Sequence, residues 1–144
     1  MTTFEIVLLV HSWLRWAVLA AGLAGIVRGG SQDDNAGKWF TILLDVQMLI
    51  GLVLYFALSP TTRTALADFG GAMGNPQLRF FAVEHTFGMV VALVLAHIGR
   101  GKIRKAVPAR KAKLAMIFYG LALVVILLSI PWPGMPAGRP LFRF

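Results

Sequence analysis

The sequence contains no cysteine. That excludes disulfides, thiolate metal sites and cysteine nucleophiles. Acidic side chains are scarce too, with six Asp and Glu against fourteen Lys and Arg in 144 residues, for a formal charge of +8. There are three histidines, His11, His85 and His97, too few for two bis-histidine metal centres. The basic balance suggests nucleic acid, but the Lys and Arg residues sit at the ends of apolar runs and in one short loop. They form no stripe that tracks a phosphate backbone, so nucleic acid is excluded as a partner. They read as a topology signal.

What the chain has in excess is apolar side chains, 58% of all residues, with a mean hydropathy of +0.74. Soluble domains average about 45–50% even with glycine counted, so this composition belongs to the lipid bilayer. Four apolar segments cover roughly 4–27, 39–58, 80–99 and 112–130. Each is near the ~20 residues that cross a ~30 Å hydrocarbon core. Backbone groups in lipid must satisfy one another, so the segments are helices. The expectation is one all-α domain, an integral membrane four-helix bundle with up-down-up-down topology. The leader, Met1 to Glu5, has an acid and no base, so the first segment reads as a retained helix rather than a signal peptide.

Nine Lys and Arg fall in the two short loops, between helices one and two and between helices three and four; four fall on the other side. This asymmetry puts the short loops inside and both termini outside. The longest loop, 59–78, starts at Pro60, which stops helix two. Residues 61–69 suit a short surface helix, broken by Gly70-Gly71 and by Gly74-Asn75-Pro76. The tail from Pro131 is too rich in proline for a helix. Trp132 suits an interfacial anchor. The remainder suits an extended arm packed on a partner subunit, or a fold-back that brings Arg139 and Arg143 near the cofactor.

The stretch His11-Ser12-Trp13-Leu14-Arg15-Trp16 sets ionisable groups one turn apart inside a spanning segment. Such groups are expensive in hydrocarbon and usually functional. At 1.5 Å per residue His11 lies about 10 Å from the outer face, and His85 on helix three about 9 Å. Helices one and three are diagonal in a simple bundle, so one imidazole from each can hold a flat macrocycle between them. His11 is in line with Val18, Gly22 and Gly25. His85 is in line with Ala92, Ala96 and Gly99, flanked by Gly88. These stripes fit helix packing or the approach of a planar cofactor. Arg79 stands above His85, where it suits a cofactor carboxylate or a lipid headgroup. Arg15, about 16 Å deep, needs a partner, Asp45 or Glu84, in a structural ion pair or at a quinone or proton-path site. His97, near the inner surface and level with Met116, reads as a surface histidine, with a second haem held by His97 and Met116 as the lesser alternative.

These residues carry a resemblance. The His11–Trp16 stretch, Leu78-Arg79-Phe80-Phe81-Ala82-Val83-Glu84-His85, Ala96-His97-Ile98-Gly99-Arg100 and Ile130-Pro131-Trp132-Pro133 resemble a family of small four-helix bacterial membrane proteins labelled cytochrome b-like. The resemblance spans nearly the whole chain. It implies a haem b carrier and membrane electron transfer, with His11 and His85 as the matching candidate ligands. The residues themselves add Arg79 and Arg15 beside the cofactor, and the expected location is the bacterial inner (cytoplasmic) membrane. Its expected partners are other subunits of a respiratory or photosynthetic complex, or a homo-oligomer. A quinone-linked oxidoreductase step is the enzymatic extension. A non-redox structural subunit is the alternative, and a transporter ranks third.

Overall fold

The computed structural model describes residues 1–144 and contains only helices, turns and coil. The order is α1 (Thr3–Val27), α2 (Asn35–Val53) with a wide π-type turn over Leu54–Leu58, α3 (Pro60–Ala67), α4 (Phe69–Met73) and α5 (Pro76–Arg79). A second wide turn, Phe80–Glu84, leads into α6 (His85–Lys105), followed by α7 (Pro108–Ser129). Four continuous stretches are long and apolar enough to span a membrane: Thr3–Val27, Asn35–Leu58, Pro76–Lys105 and Pro108–Ser129. The third runs past Gly99 because the basic residues beyond it are good helix formers.

The helix starts follow local chemistry. Thr2 caps α1 and Glu5 answers it, its carboxylate accepting from the Thr2 backbone N–H at 2.6 Å in a capping box. Pro108 opens α7 at a position where its missing N–H costs nothing. In the long loop the break falls at Asp68, which caps α4, so Gly70 and Gly71 lie within a helix instead of ending one. Gly74 and Asn75 do separate α4 from α5. The loop between α1 and α2 also does more than turn. Asp34 accepts from Arg100 at 2.9 Å and ties the start of α2 to α6.

In the bundle α1 packs on α2 and α7, and α6 packs on the same two helices. Helices α1 and α6 therefore face each other diagonally. The half away from the termini is solid: Phe40, Ala92, Ala96, Ala115 and Tyr119 belong to one buried core. The small-residue stripes belong to this packing. A side chain at Gly22 would strike Leu123 and Phe40, one at Gly25 would strike Tyr119, and one at Gly99 would strike Phe118. They seat neighbouring helices and leave no room for a plate. The perimeter exposes Leu23, Trp39, Leu49, Phe56, Phe87 and Leu128, as a lipid-facing surface requires.

Four spans bring both termini to the same end. Reporter fusions after Lys105 and at Phe144 are expected to place the α6–α7 turn inside and the tail outside. The opposite pattern would reverse the assignment made from the basic residues.

Candidate functional site

The half of the bundle nearest the termini is open. A cavity of about 140 Å³ lies there, lined by His11, Ser12 and Arg15 of α1, Tyr55 of the first wide turn, His85 and Met89 of α6, and Arg139 and Arg143 of the tail. A smaller space of about 30 Å³ adjoins it at the α2–α6 seam, bordered by Met48, Gly51 and Leu52 and touching both His11 and His85.

The sequence places the two histidines at one level, and in the structure they meet. Their ring centres are 6.3 Å apart and the planes are inclined by 70°. An imidazole nitrogen binds a first-row metal at about 2.0–2.1 Å and lies about 1.1 Å from its ring centre. Two imidazoles on opposite sides of one metal therefore have centres roughly 6.2–6.4 Å apart, which is the spacing here.

Both wide turns frame this site. A π-type turn adds a residue to the helical circuit and leaves carbonyls without their usual partners. Side chains supply them. Tyr55 donates to the Ala82 carbonyl at 2.9 Å, Thr86 to that of Phe81 at 3.1 Å, and Thr62 to that of Tyr55 at 2.7 Å. The second turn ends at His85 and so fixes the rotation at which its ring leaves the helix.

His85 Nδ1 lies 2.7 Å from the Ser129 carbonyl oxygen. That carbonyl is in the last turn of α7, where helix geometry provides no N–H donor for it. The nitrogen must donate, which leaves Nε2 with a lone pair. A metal-binding histidine is held in this way. His11 packs against Gly51, and its Nδ1 is buried with no hydrogen-bond partner. A buried polar atom left without a partner costs about 1–3 kcal/mol. No three His, Cys, Asp or Glu side chains gather to hold a bare metal ion. A pair of imidazoles suits a metal that brings its own equatorial ligands.

The arginines sit differently from expectation. Arg15 meets neither Asp45 nor Glu84. It donates to the Leu141 carbonyl at 2.6 Å, and its Nε is buried without a partner. Asp45 instead accepts from His97 Nε2 at 2.7 Å on the α2–α6 face, both side chains being nearly half exposed. Arg79 stands outside the cavity, paired with Glu84 at 2.8 Å. Met116 is exposed, and His97 already has its partner.

Of the two courses expected for the tail, onto a partner subunit or back on itself, the structure shows the second. It folds back over its own bundle. Trp132 donates to the Leu127 carbonyl at 2.7 Å, the Arg139 N–H to that of Pro131 at 3.0 Å, and Trp13 to that of Arg143 at 3.0 Å. Phe142 stacks on Trp16 with ring centres 5.5 Å apart. This brings Arg139 and Arg143 to the cavity. Burial, and after it the like charge of Arg143, hold the Arg139 guanidinium below its ordinary value. It remains charged at neutral pH.

Fold and site together define a membrane-spanning helical bundle with a paired-histidine cavity at the end that carries its termini. Against known protein families, curated proteins and solved structures, the chain finds no match.

Proposed function

We propose that the protein is a membrane b-type cytochrome-like electron carrier, with one haem b held between α1 and α6 by His11 and His85. The observation that carries this reading is the 6.3 Å ring-centre spacing. The hydrogen bond that fixes the tautomer of His85 supports it. The bound group supplies one-electron redox chemistry, and with imidazole on both sides it has no open position, which points to electron transfer rather than oxygen activation. The protein's own residues hold the imidazoles, exclude water and set the charge around them.

Placement in a bacterial inner membrane and membership of a larger respiratory or photosynthetic complex extend this reading. Exchange with a quinone is its enzymatic form. The α2–α6 seam, where Met48 and Leu52 border both histidines, is the side from which a lipid-soluble carrier reaches them. One observation favours a non-redox structural subunit: His85 is satisfied by Ser129 without any cofactor. The unpartnered nitrogens of His11 and Arg15 weigh against it.

The test is a dithionite-reduced minus oxidised spectrum of protein purified from haem-replete cells. A low-spin b-type spectrum is expected in wild type and in His97→Ala, because His97 is committed to Asp45. A colourless wild type leaves the structural subunit.

A further inference from the structure

We propose that Arg139 and Arg143 of the tail, with Arg15 of α1, form a carboxylate-binding mouth on the histidine cavity, and that the carboxylates it takes are the two acid groups at the edge of the haem. This rests on the reading above and names the residues that orient the cofactor within it.

The first support is a census of charge. The chain has only six acidic side chains. Glu5 is held by Thr2, Asp68 by the Gly71 N–H, Asp33 by Arg28, Asp34 by Arg100, Asp45 by His97 and Glu84 by Arg79. None of them lines the cavity. The three arginines that do line it therefore have no acidic partner in the chain.

The second support is what these arginines touch. Arg15 gives one N–H to the Leu141 carbonyl, and its Nε is buried and unpartnered. Arg139 meets only neutral groups. The Gln77 amide oxygen, in its satisfied orientation, accepts from both terminal nitrogens at 2.9 and 3.1 Å, and the guanidinium lies 5.0 Å from the centre of the Phe81 ring. Arg143 makes no side-chain hydrogen bond to the protein; only its backbone carbonyl is engaged, by Trp13. Like charges gathered at the rim of an apolar cavity repel one another. An anion relieves that repulsion, and a carboxylate matches the guanidinium fork.

The third support is the position of the mouth. Arg15 is one turn from His11 on the same helix, on the side toward the tail. Two spaces adjoin the histidines, this one and the seam between α2 and α6. The seam is bordered by Met48, Leu52 and Met89 and carries no charge. The acid edge belongs at the arginines.

Haem and haem dimethyl ester share the same iron and plate and differ only in the acid groups. Apo-protein titrated with each separates the mouth from the histidine pair. Wild type is expected to bind the ester at least about tenfold more weakly than haem, the scale of one or more charge-assisted hydrogen bonds. Arg139→Gln/Arg143→Gln is expected to bind the two nearly alike, and Arg139→Lys/Arg143→Lys to recover part of the preference. Equal binding of both by wild type, with a low-spin spectrum, overturns the mouth and leaves the electron carrier standing. If neither gives a low-spin spectrum, the haem reading fails and the haem edge fails with it. Calorimetry with succinate then decides whether the mouth takes a free dicarboxylate. Binding lost in the double glutamine variant supports that source, and no binding in wild type overturns the mouth altogether.

Discussion

His11→Ala and His85→Ala are each expected to abolish the low-spin b-type spectrum. With one imidazole gone, iron keeps a single axial ligand and turns high-spin, or the cofactor is lost on purification. Added imidazole should restore much of the low-spin signal in either variant, because alanine leaves a ring-sized space beside the remaining ligand. The two variants should differ in stability. His85→Ala removes a 2.7 Å hydrogen bond to the end of α7, a loss of about 0.5–1.5 kcal/mol. His11→Ala removes a buried nitrogen that has no partner in the apo-protein, so its cost there should be smaller. Detergent-solubilised variants compared by circular dichroism and by spectrum separate loss of fold from loss of ligation. A low-spin spectrum that survives both substitutions would assign the ligands elsewhere.

The histidine pair was readable because depth is a one-dimensional quantity. A uniform rise along the helix puts His11 and His85 at one level, and the short connections make α1 and α6 diagonal. What depth cannot give is rotation about the axis. The wide turns at Leu54–Leu58 and Phe80–Glu84 change that rotation, and no residue pattern in the sequence marks them beforehand. The partner of Arg15 was hidden for a related reason. Asp45 lay within reach along the membrane normal, but it faces α6 and pairs with His97. The group that does meet Arg15 is a backbone carbonyl in the tail, 126 positions away. A carbonyl has no signature in sequence, and a proline-rich tail gives no periodicity from which its path can be read. Ser129 escaped notice on the same grounds, since it acts on His85 through its carbonyl and not its hydroxyl. The glycine stripes had two readings. Only their neighbours on α2 and α7 decide in favour of packing.

Gly88→Leu is expected to disturb fold and site together. Gly88 sits on α6 opposite Ser129 of α7, so close that even a β-carbon would collide with the Ser129 hydroxyl. That hydroxyl is committed to the Val125 carbonyl at 2.8 Å and cannot simply turn away. A leucine must push α6 and α7 apart, an overpacking cost of about 1–3 kcal/mol. The gain in helix propensity over glycine, about 1 kcal/mol, does not offset it at the upper end. The separation falls three residues from His85, at the seam where its Nδ1–H reaches the Ser129 carbonyl. Lengthening that bond frees the ring to rotate, so the variant should lose stability and also show a mixed-spin spectrum. Gly101→Ala is the control, because a β-carbon there meets nothing within 4 Å. Gly101→Ala should keep the wild-type spectrum and gain about 0.5–1 kcal/mol from helix propensity alone. Thermal denaturation followed by circular dichroism, with the reduced spectrum of each variant, checks both. If Gly88→Leu behaves like Gly101→Ala, the α6–α7 seam does not position His85.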